Sequence, residues 1–183
     1  MHASAYSKSN ITVYSSFDGI IKISLPYCTH LPDKVSVTEF VSTISAIHKG
    51  PHPMGERLAL EINDYLQGKI FRFHTYPLLK NRGSIFQKKV WDTLTNIEYG
   101  QTRSYQWLAE QIGQPRAQRA VGGALHKNPW PILLPCHRVI GKDGSYRNYS
   151  SGLFWKIILL KLEEKCITIN QEFSNTLSNG DRL

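Results

Sequence analysis

The chain is poor in cysteine, in acidic residues and in long apolar runs. Three cysteines, Cys28, Cys136 and Cys166, occur in 183 residues. An odd, sparse set does not make a disulfide framework and cannot fill a four-cysteine zinc site. Thiols that stay reduced are the expectation. No apolar run reaches the roughly 20 residues that a membrane-spanning helix needs. Residues 1–10 are polar and lack the apolar core of a secretion signal. These absences predict a soluble, cytoplasmic protein. Metal ligands are also scarce. His48, His52 and His74 have no ligand-like spacing, and Cys28 with His30 is too small a set, so no metal is expected.

Acidic residues number 14 against 22 basic ones, a net charge of +8. The excess is uneven. Residues 1–100 hold eleven basic and eight acidic side chains, residues 101–165 hold ten and four, and the remainder holds one and two. A basic stretch of this kind suits a polyanion, and suits it without proving one.

The patterning reads as α+β. Residues 11–15 and 21–25 alternate apolar and polar side chains around Asp18-Gly19, which predicts a hairpin. Residues 37–48 and 56–66 read as helices, the second with Leu58, Ile62, Tyr65 and Leu66 on one face and Gly68 as its stop. Residues 71–79 read as a further strand. From Gly83 the texture becomes helical. Phe86, Val90, Trp91, Leu94 and Ile97 mark a face closed by Gly100. Residues 104–112 and 116–126 form two short helical patterns broken by Gly113-Gln114-Pro115, the outline of a helix-turn-helix. The second of these carries Arg116, Arg119 and Lys127 around Ala120-Val121-Gly122-Gly123-Ala124. Small side chains there allow close approach, to a groove or to a packed neighbour. A Pro-rich connector leads to Cys136, a Gly/Ser/Asn-rich loop follows it, and residues 153–164 read as a last helix. Residues 166–183 read as a polar tail. The expected organisation is therefore 1–82, 83–165 and 166–183.

Chemistry concentrates at Pro135-Cys136-His137-Arg138-Val139. A nucleophilic cysteine needs its thiolate, a base to take the proton and a group to orient that base. His137 is a candidate base, Arg138 a charge favouring the thiolate and Glu163 a candidate orienting carboxylate. The same residues are compatible with a buried cysteine acting as a small apolar side chain.

The wider context resembles the O6-alkylguanine-DNA alkyltransferases. Pro131-Ile132-Leu133-Leu134 followed by Pro135-Cys136-His137-Arg138-Val139 is similar to that family's active-site signature. Arg119-Ala120-Val121-Gly122-Gly123-Ala124 with Asn128-Pro129 resembles its recognition helix and asparagine hinge. Tyr99-Gly100 with Ser104-Tyr105, and Asn148-Tyr149-Ser150 with Gly152-Leu153, resemble its lead-in segment and pocket loop. The likeness runs in register over about residues 84–164. Residues 1–80 match in general character only.

The resemblance implies a ribonuclease-H-like α/β lobe followed by a winged helix-turn-helix lobe. It implies irreversible transfer of an alkyl group from guanine O6 in duplex DNA to Cys136, one group per molecule. His137, acting through a water, would be the base, Glu163 its partner, Tyr105 the donor to the leaving guanine and Asn128 the hinge. Val139, Tyr149, Ser150 and Pro131 would line the substrate pocket. Arg119 would fill the space of a flipped base, with Ala120, Gly122, Gly123, Arg116, Lys127 and Arg138 on the DNA-facing side. No cofactor is implied, and a monomer, nucleoid-associated when on DNA, is expected. Tyr146-Arg147, His126-Lys127 and Ser151 depart from the family pattern. Two other readings stand beside this one: a non-catalytic sensor of alkylated DNA, against which the presence of Cys136 argues, and a hydrolase using a Cys136–His137 dyad.

Overall fold

Strand alternation builds the first element pair as expected. β1 (Ile11–Ser16) and β2 (Gly19–Ser24) form an antiparallel hairpin, and every second residue of β1 is buried. The structure is a computed structural model in which residues 10–26, 37–81 and 83–180 are described. Cys28 and His30 lie outside those residues.

The expected helix over residues 37–48 is instead two elements. α1 (Val37–Ser42) ends early, and β3 (Ala46–Lys49) pairs in parallel with β1, Ile11 opposite Ala46 and Val13 opposite His48. The free edge of β1 offers a ladder of hydrogen bonds, and this tertiary pairing outweighs local helical preference. The sheet order is β2-β1-β3. α2 (Pro53–Leu66) covers one face with Leu58, Ile62, Tyr65 and Leu66, the face read from the sequence. His52 caps its start, Nδ1 accepting from the Met54 amide at 3.1 Å. The proline at the first turn lacks only a donor that a helix start leaves unused.

The expected strand over residues 71–79 is irregular, apart from a bridge between Leu78 and Ile20. Several of its backbone groups pair outside a continuous ladder. The Pro77 carbonyl accepts from the Ile20 amide at 2.8 Å, and the His74 amide donates to the Glu61 carboxylate at 3.0 Å.

The second lobe is mainly helical. α3 (Ile85–Thr93) opens on a capping box, with Ser84 and Gln87 each bonding the other's backbone amide. It ends in a 3-10 turn at Leu94–Asn96. α4 (Tyr105–Gln111) and α5 (Gln118–His126) follow, and Ser104 caps α4. Just before α4, β4 (Arg103–Ser104) pairs in parallel with β5 (Val139–Ile140), which follows the cysteine turn. α6 begins at Leu153 and runs to Gly180, through the segment read as a polar tail. The architecture is α+β, a small mixed sheet with a helix joined to a helical lobe.

Two buried tryptophans join the layers. Trp91 donates from Nε1 to the Ala124 carbonyl at 2.9 Å and meets Trp130 edge-on at 5.8 Å. Trp130 Nε1 donates to the Ile20 carbonyl of β2 at 3.0 Å. Truncating Trp91 removes a large buried ring and one of the two donors to the Ala124 carbonyl, the other being the Lys127 amide. Trp91→Ala is therefore expected to lower unfolding free energy by about 3–5 kcal/mol, read from urea titration; a loss under about 1 kcal/mol would show that the α3–α5 contact is not stabilising.

Candidate active site

The chain reaches the site through a strained connector. Ile132 has φ of 73°, uncommon for a β-branched residue, and Leu134 donates its amide back to the Trp130 carbonyl at 2.8 Å. Asn128 holds the turn from both sides. Its Oδ1 accepts from the Trp130 amide at 3.0 Å, and its Nδ2 donates to the Leu134 carbonyl at 2.9 Å. The same Nδ2 lies 3.2 Å from Cys136 Sγ. Asn128 thus reaches the thiol itself.

Cys136, His137 and Arg138 form a buried 3-10 turn. Burial pushes the Cys136 thiol up, opposed by hydrogen bonds with Asn128 and Tyr149 and by the Lys156 ammonium. The thiol donates to Tyr149 Oη at 3.6 Å. Cys136 therefore rests as a thiol whose deprotonation needs a base, in surroundings that receive the anion.

His137 is fully buried, and its Nε2 lies 2.9 Å from Glu163 Oε1. Burial lowers its proton affinity, and the Arg138 and Lys156 charges oppose the Glu163 carboxylate. Burial also pushes Glu163 up, yet His137 and Arg138 together hold it down at about 2. The consistent state is a neutral imidazole donating from Nε2 to an ionised carboxylate. Among the described residues no protein group bonds Nδ1, which is left to accept a proton.

Arg138 differs from its expected place on the DNA-facing side. It is buried, with Nη2 at 2.9 Å from Glu163 Oε1 and Nη1 at 2.7 Å from the Ile97 carbonyl. A guanidinium committed to a buried carboxylate has no free donor fork for phosphate. The positive charge toward the thiol is instead Lys156, which sequence reasoning missed. Its Nζ donates to the Val139 carbonyl at 2.6 Å, and burial lowers it to about 8. The signal was present: Lys156 interrupts the apolar run of α6 seven residues before Glu163, on the same helix face.

A cavity of about 820 Å³ opens at Cys136. Tyr105, Tyr149 and Ser150 line it, as does Arg119 at its rim. The β4–β5 pairing sets Tyr105 across from the cysteine turn, and burial together with Cys136 raises its hydroxyl, so that it stays protonated. Pro131 and Val139 are buried and do not line the cavity, and the Val139 carbonyl is taken by Lys156. Arg116, Arg119, Ala120, Gly123 and Lys127 are exposed on and around α5, and Gly122 is half-buried. A methyl group on Gly123 would meet nothing, whereas one on Gly122 would touch the Tyr105 ring at 3.8 Å. Arg147 also lines the mouth, at φ of 50° and paired with Asp143 at 2.9 Å. His48, His52 and His74 do not come together: His48 bonds Ser15, His52 caps α2 and His74 pairs with Glu61.

Fold and site together define a helix-turn-helix protein with a cysteine-centred pocket and a histidine–glutamate pair behind it. Comparison with known proteins narrows that class. The family model "6-O-methylguanine DNA methyltransferase, DNA binding domain" matches residues 85–165. A methylated-DNA–protein-cysteine methyltransferase of Methanosarcina barkeri is 50% identical over 106 residues, 58% of this chain and 66% of that protein. The one from Mycobacterium bovis is 44% identical over 121 residues, 66% of this chain and 72% of that protein. The crystal structure of Mycobacterium tuberculosis OGT in complex with DNA is 34% identical, with a TM-score of 0.64 over 80% of this chain and 82% of that one. The chain belongs to the methylated-DNA–protein-cysteine methyltransferase family. It spans just under two thirds of the Methanosarcina relative. No helix among the described residues is long and apolar enough to cross a membrane.

The Glu163 centre predicts an acid response. Its folded value is depressed from 4.5 to about 2, so its contribution is complete above pH 4.5 and is lost as pH falls through about 2. Glu163→Gln leaves Arg138 buried without its counter-charge. The variant is expected to lose about 3–5 kcal/mol at pH 7 and to show a shallower stability loss between pH 4.5 and 2, measured by urea unfolding across pH. Equal slopes in both proteins would show that Glu163 is not held as a buried anion.

Proposed function

We propose that this protein repairs O6-alkylguanine in duplex DNA by taking the alkyl group onto Cys136. The observation that carries this is the buried thiol at the end of a cavity, facing Asn128, Tyr149 and Lys156, with the His137–Glu163 pair behind it. Membership of the family supports the same substrate.

In the proposed reaction Cys136 Sγ attacks the alkyl carbon as the bond from that carbon to guanine O6 breaks. His137, through a bridging water, draws the thiol proton from its free Nδ1 side, and Glu163 stabilises the imidazolium. Tyr105 donates toward the guanine as negative charge develops. The proton lost by the thiol balances the one gained by the released base. The product is a thioether, whose carbon water does not readily attack, so the thiol is not regenerated and one molecule accepts one group.

The target atom lies within a stacked duplex, so the base must leave the stack to reach the cavity. Arg119 at the rim occupies the vacated space, and the small residues of α5 let the backbone approach the minor groove. Arg116 and Lys127 supply exposed charge for phosphates. Their contacts would release counterions, so binding weakens as salt rises.

Intact and peptide mass spectra after mixing with excess duplex carrying one O6-methylguanine test the reading. One methyl per chain, on the peptide containing Cys136, is expected, and Cys136→Ser should gain none while still binding DNA. Tight binding with no mass gain would replace transfer by damage sensing, and repeated turnover would replace it by hydrolysis. Arg119→Ala should slow repair in duplex at least about tenfold more than reaction with a free modified guanine, given an unstacking cost of a few kcal/mol. Equal losses on both substrates would remove the flipping role.

A further inference from the structure

The Glu163 carboxylate receives more than the pair of residues that the reaction requires. Oε2 accepts from the Gly100 amide at 2.8 Å. Arg138 Nε lies 3.1 Å from both oxygens. Oε1, the oxygen facing His137, also accepts from Tyr65 Oη at 2.5 Å. Tyr65 is on α2 in the first lobe, 98 residues away in sequence. It is fully buried, with its ring packed on Phe73 and Tyr99 at 5.4 and 5.8 Å. A phenylalanine would make those ring contacts equally well. The hydroxyl adds one thing, a short hydrogen bond to an anion that also bonds the imidazole.

We infer that Tyr65 is a positioning residue of the transfer reaction, its hydroxyl setting how strongly Glu163 holds His137. The inference rests on the reading of His137 as the base. Tyr65, His137 and Arg138 all donate to this one carboxylate oxygen. Each draws electron density from it, so the Tyr65 bond weakens the pull of Glu163 on the His137 Nε2 proton. It also holds the carboxylate in one rotamer. An over-strong pull makes the imidazole too basic and leaves it protonated before it can act. The first lobe thereby enters the chemistry through a single hydroxyl. The groups facing His137 are Glu163 and Lys156 from α6, Arg138 on its own turn and Tyr65 from α2. Tyr99 lies beyond, against the Arg138 guanidinium at 5.6 Å, with Cys166 next to it. Of these, Tyr65 is the neutral donor from the other lobe that reaches Oε1.

Tyr65→Phe removes the donor and keeps the ring. Tyr65 replaced by a fluorinated tyrosine keeps both and donates more strongly. The primary readout is the chemical shift of the His137 Nε2 proton at neutral pH without DNA, assigned by its disappearance in His137→Gln. Tyr65→Phe is expected to move it downfield, and fluorotyrosine upfield. The acidic limb of the transfer rate should move up by about one pH unit in Tyr65→Phe, a tenfold change in imidazole proton affinity. Binding to undamaged duplex should not change. An unmoved Nε2 proton in both cooperatively folded variants would overturn the inference, as would a slower rate with an unmoved pH limb, which would reduce Tyr65 to packing. Because the proton shift is read without substrate, failure of the wild-type protein to transfer a methyl group would be scored separately.

Discussion

One buried carboxylate organises this molecule. Glu163 sits in the core as an anion, and such a charge is tolerated only when its lone pairs are filled and an opposite charge lies against it. Meeting that requirement draws in a backbone amide before β4, two consecutive residues of the cysteine turn and a tyrosine from the first lobe. Three separate stretches of chain converge on two oxygen atoms. His137 is consequently held neutral with one nitrogen committed and the other free. Arg138 serves this centre, which is why a residue beside the cysteine carries no charge outward.

The thiol is treated differently from the histidine behind it. Burial keeps Cys136 protonated, while an amide, a phenol and an ammonium wait around the sulfur. Such a site is quiet until a base acts, and it then receives the anion in place of water. The proposed single transfer benefits from this restraint, since a standing exposed thiolate is the form that oxidants attack. The strained Ile132 and the two adjacent glycines of α5 cost stability in the same region. Both lie where the backbone must turn sharply or leave a surface clear, and strain of this kind persists only where the surroundings over-determine it.

The two lobes are joined through polar anchors as well as apolar packing. Trp130 and Trp155 each donate an indole N–H to a carbonyl of the first lobe, at Ile20 and Pro26. Ile23 donates its amide to the Pro129 carbonyl in the connector. The connector that delivers Cys136 is therefore fastened to the sheet, and the placement of the thiol depends on the hairpin of the first lobe.

Much of this was legible from residue order alone. Alternation over β1 and β2, the face of α2, the broken pair of helices and the grouping of Cys136, His137, Glu163, Tyr105, Asn128 and Tyr149 all rest on local patterning or on a motif read in one register. The failures share a cause. Residues 46–49 became a strand because β1 had a free edge, residues 71–79 lost their strand because other partners took their backbone groups, and Arg138 turned inward because Glu163 needed a counter-charge. Lys156 left a trace as a charge in an apolar helix face, whereas Tyr65 left none, since a tyrosine on a core face looks the same whether or not its hydroxyl finds a partner. Sequence by itself determined which elements form from their own periodicity and which residue types the chemistry requires. Only the tertiary structure decided which charges face the thiol and which face each other, because burial makes each polar group's role depend on the partner that reaches it.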